Sequence, residues 1–434
     1  MKTFAEVIEY LYARLPMFTR DGANAINPDV DNTLQLCQAL HNPHKKFKSI
    51  HIAGTNGKGS SSHSLASILA AAGLKTGLYT SPHLVDFRER IRIDGQMISQ
   101  QSVIDFVNKH KSLIEDIEPS FFEVTVAMAF DYFASENVDI AVIEVGLGGR
   151  LDSTNIITPE LCLITNIGMD HMNILGDTLE QIAGEKAGII KPHVPVVISE
   201  RQPEIEHVFL EKAKLAQSPI FIADDFFKVR QVEKKSTGLD IAVETKASNN
   251  INIWHLDLAG SYQKKNILGV LTAVSQLRMM GYDINDDQIK NGLANVQQST
   301  GLRGRWETLS SEPWIICDTG HNEDGIKAVV QNLATLNFNH LHFVIGAMKD
   351  KDLSHILSLL PKQATYYFAA PKMPRAMASE DLKNLAHSFE LTGMAYESID
   401  DAFASAKHAY QDGDLIFIGG STFVVAEVLT NHFL

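Results

Sequence analysis

The chain has 434 residues, of which 45% are hydrophobic and 21% are charged, and its formal net charge at pH 7 is −14. This composition is typical of a globular protein, and the length exceeds that of one ordinary core, so we expect two domains. The acidic balance argues against nucleic acid or an anionic membrane as a partner. Three scattered cysteines without metal-binding spacing, and no apolar run long enough for a signal peptide or a membrane helix, predict a cytoplasmic protein.

Repeated strand–helix units are predicted over residues 1–210. The strands are expected at 47–53, 75–80, 138–145, 160–166 and 194–199, and the helices at 59–72, 101–116, 122–136 and 178–188. The apolar runs are continuous, which is typical of strands buried on both faces of a mostly parallel sheet. Between residues 219 and 258 the strands lie close together, with polar turns between them. We therefore predict a small antiparallel patch appended to the main sheet, built from 220–222, 227–232, 239–243 and 251–258.

A second α/β series is predicted after two helices at 262–280 and 286–295. The polar, glycine-containing segment 297–305 is the expected hinge. Strands follow at 314–318, 341–345, 365–369 and 415–418, with helices between them and a last helix at 421–432. The sequence thus predicts an α/β protein with a mostly parallel sheet domain that contains a phosphate-binding loop (1–298) and a second, Rossmann-like α/β domain (299–434).

The loop at residues 54–60, called the phosphate loop below, reads Gly-Thr-Asn-Gly-Lys-Gly-Ser between a predicted strand and a predicted helix. Its glycines let backbone N–H groups approach phosphates, the helix start adds partial positive charge, and Lys58 adds a full charge. Ser60 is placed to reach a Mg²⁺ ion that bridges phosphates. Because a Walker A loop reads Gly-Lys-Ser/Thr, the motif alone leaves nucleotide binding open against a tight strand-to-helix turn.

Further polar residues lie near the carboxyl ends of predicted strands, where open α/β sheets bind ligands. Glu144, Asn166 and Asp318 end strands, His171 follows shortly after Asn166, and Lys186 is on a helix. A carboxylate, an imidazole and the loop hydroxyl are reasonable magnesium ligands. Taken singly, Glu144 could be a paired buried carboxylate, His171 a capping residue and Lys186 a solvated charge. Their joint occurrence after a phosphate loop favours a functional site.

Five motifs together resemble one enzyme family. They are Gly-Thr-Asn-Gly-Lys-Gly-Ser (54–60), Thr-Ser-Pro-His-Leu with Phe-Arg-Glu-Arg-Ile (80–91), Glu-Val-Gly-Leu-Gly-Gly-Arg-Leu-Asp-Ser-Thr-Asn (144–155), Asp-His (170–171) and Glu-Lys-Ala-Gly-Ile-Ile-Lys (185–191). The set resembles folylpolyglutamate synthase, an enzyme that in bacteria is often also the dihydrofolate synthase, within the wider Mur ligase group. The resemblance covers essentially the whole chain, and it accounts for the Gly-Lys-Gly-Ser order, which this group uses.

The resemblance implies an ATP-binding N-terminal domain, a smaller C-terminal domain and an active site in the cleft between them. The implied ATP-binding residues are Gly54, Thr55, Asn56, Gly57, Lys58, Gly59, Ser60, Asn266 (facing adenine), Arg305 (phosphates) and Asp318 (ribose). One Mg²⁺ would be held by Ser60, Glu144 and His171, and a second by Lys186 after carbamylation. The implied catalytic residues are Lys58, Lys186 and His321. The implied substrate-binding residues are Ser120, Phe122, Asp152, Asn155, His321 and Ser421.

Two of these assignments carry alternatives. The segment Asp318-Thr319-Gly320-His321-Asn322 departs from the family's Asp-Gly-Ala-His-Asn at two positions, so only Asp318 and His321 are carried over. A pterin ring would stack on Phe122 and donate N–H groups to Asp152. However, Phe122 begins an apolar helix in which at least one phenylalanine must be core, and Asp152 could equally cap the following turn.

The implied activity is ATP-dependent addition of L-glutamate to dihydropteroate and to tetrahydrofolate (poly)glutamates through an acyl phosphate. We expect a monomer that acts on small molecules. Polyglutamylation of reduced folates alone is the main alternative. A cell-wall Mur ligase would carry a further N-terminal domain before its phosphate loop. In this sequence the loop begins at residue 54, which argues against that alternative. A P-loop ATPase or kinase does not explain residues 318–322, and a non-enzymatic binding module is the remaining alternative.

Overall fold

The computed structural model describes residues 1–25, 27, 29–349 and 353–433. The chain divides into two compact units. One comprises Met1–Asp257 with Gln263–Leu302, and the other comprises Leu258–Tyr262 with Arg303–Leu434. Each unit contains a mainly parallel sheet with helices, so the predicted α/β class is confirmed. Among the described residues, no helix is both long and apolar enough to cross a membrane.

The first unit is built on an eight-stranded sheet. Its strands are β1 (Lys48–Ala53), β2 (Thr76–Tyr79), β3 (Ile91–Ile93), β4 (Gln96–Met97), β5 (Ile140–Glu144), β6 (Leu161–Ile164), β7 (Val196–Ile198) and β8 (Ile220–Ile222). They lie in the order β4-β3-β2-β5-β1-β6-β7-β8, with β3 and β4 antiparallel at one edge. The prediction that 220–222 belongs to the antiparallel patch is wrong, because β8 pairs in parallel with β7 and extends the main sheet.

Helices cover both faces of this sheet. They are α1 (Phe4–Arg14), α2 (Phe18–Asp21), α3 (Asp31–Ala39), α4 (Lys58–Ala71), α5 (Gln100–Ile117), α6 (Phe121–Ser135), α7 (Met172–Leu175), α8 (Leu179–Ala187), α9 (Glu206–Leu215), α10 (Ala223–Phe226), α11 (Gln263–Met279), α12 (Asp286–Ala294) and α13 (Val296–Thr300). On β5, Ala141 and Ile143 pack with α5 and α6, whereas Ile140 and Val142 pack with α4 and α11. Burial on both faces explains the continuous apolar runs.

The predicted antiparallel strands after residue 222 are confirmed, but they form a separate three-stranded sheet and do not extend the main sheet. The separate sheet consists of β9 (Phe227–Lys235), β10 (Gly238–Thr245) and β11 (Asn250–Leu256), with β10 in the centre. Leu239, Ile241 and Trp254 pack in the same core as α11. Helix α13 overlaps the start of the segment 297–305 that was predicted as a hinge, and its C-cap is Gly301, which has a φ of +68°.

The second unit contains a six-stranded sheet in the order β12-β13-β17-β14-β15-β16. Its strands are β12 (Glu307–Ser311), β13 (Trp314–Cys317), β14 (Leu341–Ile345), β15 (Ala364–Phe368), β16 (Gly393–Ala395) and β17 (Leu415–Gly419). Its helices are α14 (Glu323–Leu333), α15 (Ser354–Leu359), α16 (Ser379–His387), α17 (Ile399–Ala409) and α18 (Thr422–His432). Strand β12 pairs antiparallel with β13, and the other strand pairs of this sheet are parallel among the described residues. Phe343, Tyr366 and Phe417 fill one face of the sheet.

Candidate functional site

The phosphate loop connects β1 to α4 and is hydrogen-bonded to the two residues that follow β6. The Thr55 N–H donates to the Asn166 carbonyl at 2.8 Å, and the Asn56 N–H donates to Asn166 Oδ1 at 2.8 Å. The hydroxyl of Thr165 donates to the Asn56 carbonyl at 2.6 Å. These bonds fix the loop backbone before any ligand arrives, which is the preorganisation that an anion site needs.

Gly57 and the first turn of α4 form the part of the loop that offers backbone N–H donors to an anion. Gly57 has a φ of +84°, and a Cβ there would lie 2.3 Å from Asn266 Oδ1, so the position requires glycine. Helix α4 begins at Lys58 without a side-chain cap, and its first N–H groups therefore face outward as donors. Ser60 is buried, and its Oγ accepts a hydrogen bond from Gln263 Nε2 at 3.0 Å.

Lys58 folds back over its own loop. Its Nζ donates to the carbonyls of Gly54 at 3.0 Å and Thr55 at 3.2 Å. The ammonium group is thereby held above the loop backbone, where it adds positive charge to that of the helix start.

Glu144 lies at the end of β5, and His171 lies in the segment that follows β6, so they come from the two strands that neighbour β1 in the sheet or from the segment after one of them. Glu144 ends β5, directly beside Ile52 of β1, and its buried carboxylate accepts the Ser81 N–H at 3.3 Å. His171 precedes α7 with a φ of +51°, and its N–H donates to Asp170 Oδ1 at 2.9 Å. Since the strand order is β5-β1-β6, both predicted ligands lie at the same sheet edge as the loop.

The oxygen donors at this edge fit magnesium. A serine hydroxyl and a carboxylate are hard ligands, and Mg²⁺ is usually bound by one or two such groups together with substrate phosphates and water. Within the described ranges, no group of three or more His, Cys, Asp or Glu side chains is placed to hold a metal. A magnesium ion here would therefore depend on the phosphates of a bound nucleotide.

Lys186 is buried near the end of α8, with 4% of its surface exposed, so the alternative of a solvated helical lysine is wrong. Burial lowers the pKa of Lys186 to about 7, and the nearby positive charge of Lys58 acts in the same direction. The carboxylates of Asp170 and Asp152 are close enough to raise the pKa of the Lys186 amine, but they do not outweigh burial. A large fraction of this amine is therefore neutral, and hence nucleophilic, at physiological pH.

Ser120 and Phe122 begin α6. The Ser120 hydroxyl accepts the Glu123 N–H at 3.3 Å, and the Glu123 carboxylate accepts the Ser120 N–H at 2.6 Å, which completes a capping box. Phe121 is the core phenylalanine. Phe122 is only partly buried and lies against Gly146, where a Cβ would be 2.4 Å from the ring.

Asp152 and Asn155 organise the glycine-rich loop after β5. Residues 146–152 are called the acceptor loop below. Asp152 is buried, and its carboxylate accepts the N–H groups of Leu147 at 2.8 Å and Thr154 at 3.0 Å. Burial raises the pKa of Asp152, although these bonds oppose the rise. Asn155 Nδ2 donates to the carbonyls of Arg150 and Gly188 at 3.0 and 3.1 Å. Asp152 therefore caps the turn at Ser153–Ile156, as one sequence alternative stated.

In the second unit, the predicted residues lie near the carboxyl ends of adjacent strands β13 and β17. Buried Asp318 accepts the Tyr262 hydroxyl at 2.7 Å and the Trp306 N–H at 2.8 Å, and burial raises its pKa. His321 Nδ1 lies 3.0 Å from the Thr319 carbonyl. Ser421 caps α18. Arg305 Nη1 donates to the adjacent Gly304 carbonyl at 3.4 Å.

Three residues with evident structural roles were not among the predicted site residues. Gln263 bridges Ser60 and Asn266, whose Nδ2 donates to Gln263 Oε1 at 2.8 Å. Thr165 donates a hydrogen bond to the phosphate loop, and Tyr262 donates one to Asp318. Tyr262 and Gln263 lie just before Asn266 in the sequence, so that segment could have indicated both of them, whereas no local pattern indicates Thr165.

Comparison with protein families gives two matches. Residues 52–274 match the Mur ligase middle domain, and residues 304–422 match the Mur ligase glutamate ligase domain. The dihydrofolate synthase/folylpolyglutamate synthase of Bacillus subtilis (strain 168) is 33% identical over 414 residues, covering 93% of this chain and 94% of its own. The enzyme of the same name from Escherichia coli (strain K12) is 32% identical, covering 87% and 85%.

Solved structures agree with these matches. Mycobacterium tuberculosis folylpolyglutamate synthase complexed with ADP has a TM-score of 0.88 and 31% identity, with 99% of this chain and 98% of that chain covered. Escherichia coli FolC in complex with DHPP and ADP has a TM-score of 0.84 and 27% identity, with 99% and 97% covered. The resemblance seen in the sequence motifs is thereby confirmed, as is the assignment to the ligase class. The chain belongs to the dihydrofolate synthase/folylpolyglutamate synthase family of Mur ligases.

Proposed function

We propose that the protein is an ATP-dependent ligase that adds L-glutamate to dihydropteroate and to tetrahydrofolate (poly)glutamates. The observation that carries the proposal is the joint placement, at one sheet edge, of an uncapped phosphate loop, buried Glu144 and a buried, partly neutral Lys186. The relatives that cover almost the whole chain bear the names of these two activities. Solved relatives bound to ADP support ATP as the nucleotide.

The first step activates the acceptor carboxylate. An oxygen of the carboxylate attacks the γ-phosphorus of ATP, the bond to the β–γ bridging oxygen breaks, and the products are an acyl phosphate and ADP. The backbone N–H groups of residues 54–60 and the Lys58 ammonium neutralise the phosphates, after Lys58 exchanges its two loop carbonyls for phosphate oxygens. In this proposal Asn266, on α11, faces the adenine, Arg305 contacts the phosphates, and Asp318 contacts the ribose.

Ser60, Glu144 and His171 would hold one Mg²⁺, and Lys186 a second after carbamylation. Bound magnesium supplies charge neutralisation at the transferring phosphoryl group. Carbamylation joins the neutral Lys186 amine to CO₂ and releases one proton, which converts an amine into a carboxylate. The pKa of about 7, caused by burial, supports this reaction because only the unprotonated amine can attack CO₂.

The second step forms the amide. The amino group of glutamate attacks the acyl carbon, loses a proton and expels inorganic phosphate. We propose that Ser120, Phe122, Asp152 and Asn155 bind the pteroate portion, and that His321 and Ser421 bind glutamate at the carboxyl edge of the second sheet. The domains are 1–298 for ATP and the acceptor and 299–434 for glutamate, the latter supported by the match of 304–422 to a glutamate ligase domain.

The proposed setting is a cytoplasmic monomer that acts on small molecules. The net charge of −14 supports the exclusion of nucleic acid and anionic membranes as partners.

The test is product analysis by mass spectrometry. Purified protein is incubated with ATP, Mg²⁺ and L-glutamate, and with dihydropteroate or tetrahydrofolate in separate reactions. We expect dihydrofolate from the first reaction and glutamyl-extended tetrahydrofolate from the second. If only tetrahydrofolate is extended, the protein is a polyglutamate synthase alone. If neither acceptor gains glutamate, the proposed function is wrong.

A further inference from the structure

His51 is a buried imidazole on β1, flanked along the strand by the buried residues Ile50 and Ile52. It lies on β1 between Ile143 of β5 and Cys162 of β6 and is fully buried. Its Nε2 is 2.9 Å from the Thr154 hydroxyl oxygen, and its Nδ1 has no hydrogen-bond partner among the described residues. A buried, unsatisfied nitrogen destabilises a fold relative to an aliphatic side chain, so packing alone does not explain histidine here.

The proton positions around Thr154 follow from its two partners. Its hydroxyl oxygen is 2.5 Å from Asp152 Oδ1 and 2.9 Å from His51 Nε2. Both oxygens of Asp152 already accept backbone N–H groups, so the Thr154 hydroxyl donates to Oδ1 and its own oxygen accepts the Nε2–H of His51. Burial lowers the pKa of His51 to about 3, so the ring remains a neutral donor at physiological pH. The chain of bonds therefore runs in one direction, from His51 through Thr154 to Asp152.

The position of the Asp152 carboxylate sets the shape of the acceptor loop. Its other oxygen accepts the Leu147 N–H at 2.8 Å, near the start of the loop. Gly146 lies against the ring of Phe122. At the other end of the loop, the Arg150 N–H donates to the Glu185 carbonyl at 2.8 Å, one residue before Lys186. A shift of Asp152 would therefore move the surface beside Phe122.

We propose that His51 is a positioning residue which, through Thr154, holds the Asp152 carboxylate and the acceptor loop in the orientation that binds the pteroate portion of the acceptor. The inference rests on the proposed function, because it takes this loop as the acceptor site. The phosphate loop is held by separate bonds, from Thr165 and Asn166. Loss of the His51–Thr154 chain should therefore weaken acceptor binding and leave ATP binding largely intact.

The kinetic test uses Thr154→Val and Thr154→Ser. Because Thr154→Val removes a hydrogen bond to a buried carboxylate, we expect KM for dihydropteroate and tetrahydrofolate to rise about tenfold, with KM for ATP changed less than about twofold. Thr154→Ser keeps the hydroxyl and should restore the acceptor KM. Thr272→Val is the matched control, since the buried Thr272 hydroxyl donates only to the Leu268 carbonyl of its own helix. An unchanged acceptor KM in Thr154→Val, or an equal rise for ATP, overturns the proposal.

A spectroscopic test is independent of activity. The test uses NMR of protein labelled with ¹⁵N-histidine, in which the His51 signals are identified by their absence from the spectrum of His51→Gln. We expect a neutral ring with a protonated Nε2 and an unprotonated Nδ1 around neutral pH. Thr154→Val should shift the Nε2 resonance, and Thr154→Ser should return it. A protonated Nδ1, or titration near the ordinary histidine pKa of about 6.5, overturns the proposed hydrogen-bond chain. If the wild type ligates neither acceptor while the spectra are as expected, the proposed function fails, and the hydrogen-bond chain from His51 through Thr154 to Asp152 stands.

Discussion

Lys186 should destabilise the folded protein at neutral pH, so Lys186→Met should stabilise it while abolishing ligation. Burial lowers the pKa of Lys186 from 10.5 to about 7, so between these values the unfolded chain binds more protons than the folded chain. Stability should therefore rise with pH through this window, by up to about 1.4 kcal/mol per pH unit. At pH 7 the burial of this amine costs the fold about 4 kcal/mol relative to a side chain that is neutral in both states.

Methionine has a similar length and no charge, so we expect Lys186→Met to raise the free energy of unfolding at pH 7 by about 2–4 kcal/mol. Thermal denaturation in bicarbonate-free buffer should show a Tm roughly 5 °C higher than that of the wild type. The difference should shrink as pH rises through 10.5, because only above that pH is the wild-type amine neutral in the unfolded as well as the folded state. Added bicarbonate should raise the Tm of the wild type and leave the variant unchanged.

Lys212→Met is the matched control, because Lys212 is exposed on α9 and should change stability by less than about 0.5 kcal/mol. A lower Tm for Lys186→Met than for the wild type at pH 7 would refute the reasoning. So would a wild-type stability with the same pH dependence as that of the variant.

Three further predictions concern the two sheets. Lys58→Ala removes the charge held over the phosphate loop and should lower turnover by orders of magnitude in a coupled ADP assay, and near wild-type turnover at saturating ATP would contradict its role. Gly146→Ala places a methyl group 2.4 Å from the Phe122 ring, so the acceptor KM should rise about tenfold while that for ATP is unchanged. In Asp318→Asn the NH₂ group must face either the Tyr262 hydroxyl and Trp306 N–H, which bond to Oδ2, or the Gly320 N–H, which bonds to Oδ1, so a donor meets a donor in either orientation; the change should cost about 1–3 kcal/mol by denaturation, and an unchanged Tm would count against this network.

The elements that the sequence predicted best are those buried on both faces. Strands β1, β5 and β6 lie close to their predicted positions, because burial on two sides demands a continuous apolar run. The short strand β8 was assigned to the wrong sheet, since three apolar residues carry no information about which neighbour they pair with. The edge strand β12 is polar and exposed on one side, and no apolar run marks it.

Within the site, residue types predicted chemistry better than they predicted environment. The position of Lys186 on a helix suggested either a ligand or a solvated charge, and only the fold shows that the amine is buried. The hydrogen-bond chain from His51 through Thr154 to Asp152 connects residues that are about 100 positions apart in the sequence, because strand pairing and the loop after β5 bring them together. No local pattern encodes such a contact. The glycines at 57 and 146 were visible in the sequence, but the side chains that press against them were not.

The measurement that tests the central claim most directly follows oxygen from the acceptor carboxylate. Dihydropteroate labelled with ¹⁸O in its carboxylate is incubated with ATP, Mg²⁺, L-glutamate and the wild-type protein, and the released phosphate is analysed by mass spectrometry. Ligation through an acyl phosphate transfers one labelled oxygen to phosphate for each glutamate joined. Unlabelled phosphate accompanying amide formation would contradict the acyl phosphate, and phosphate release without an amide product would contradict the ligase.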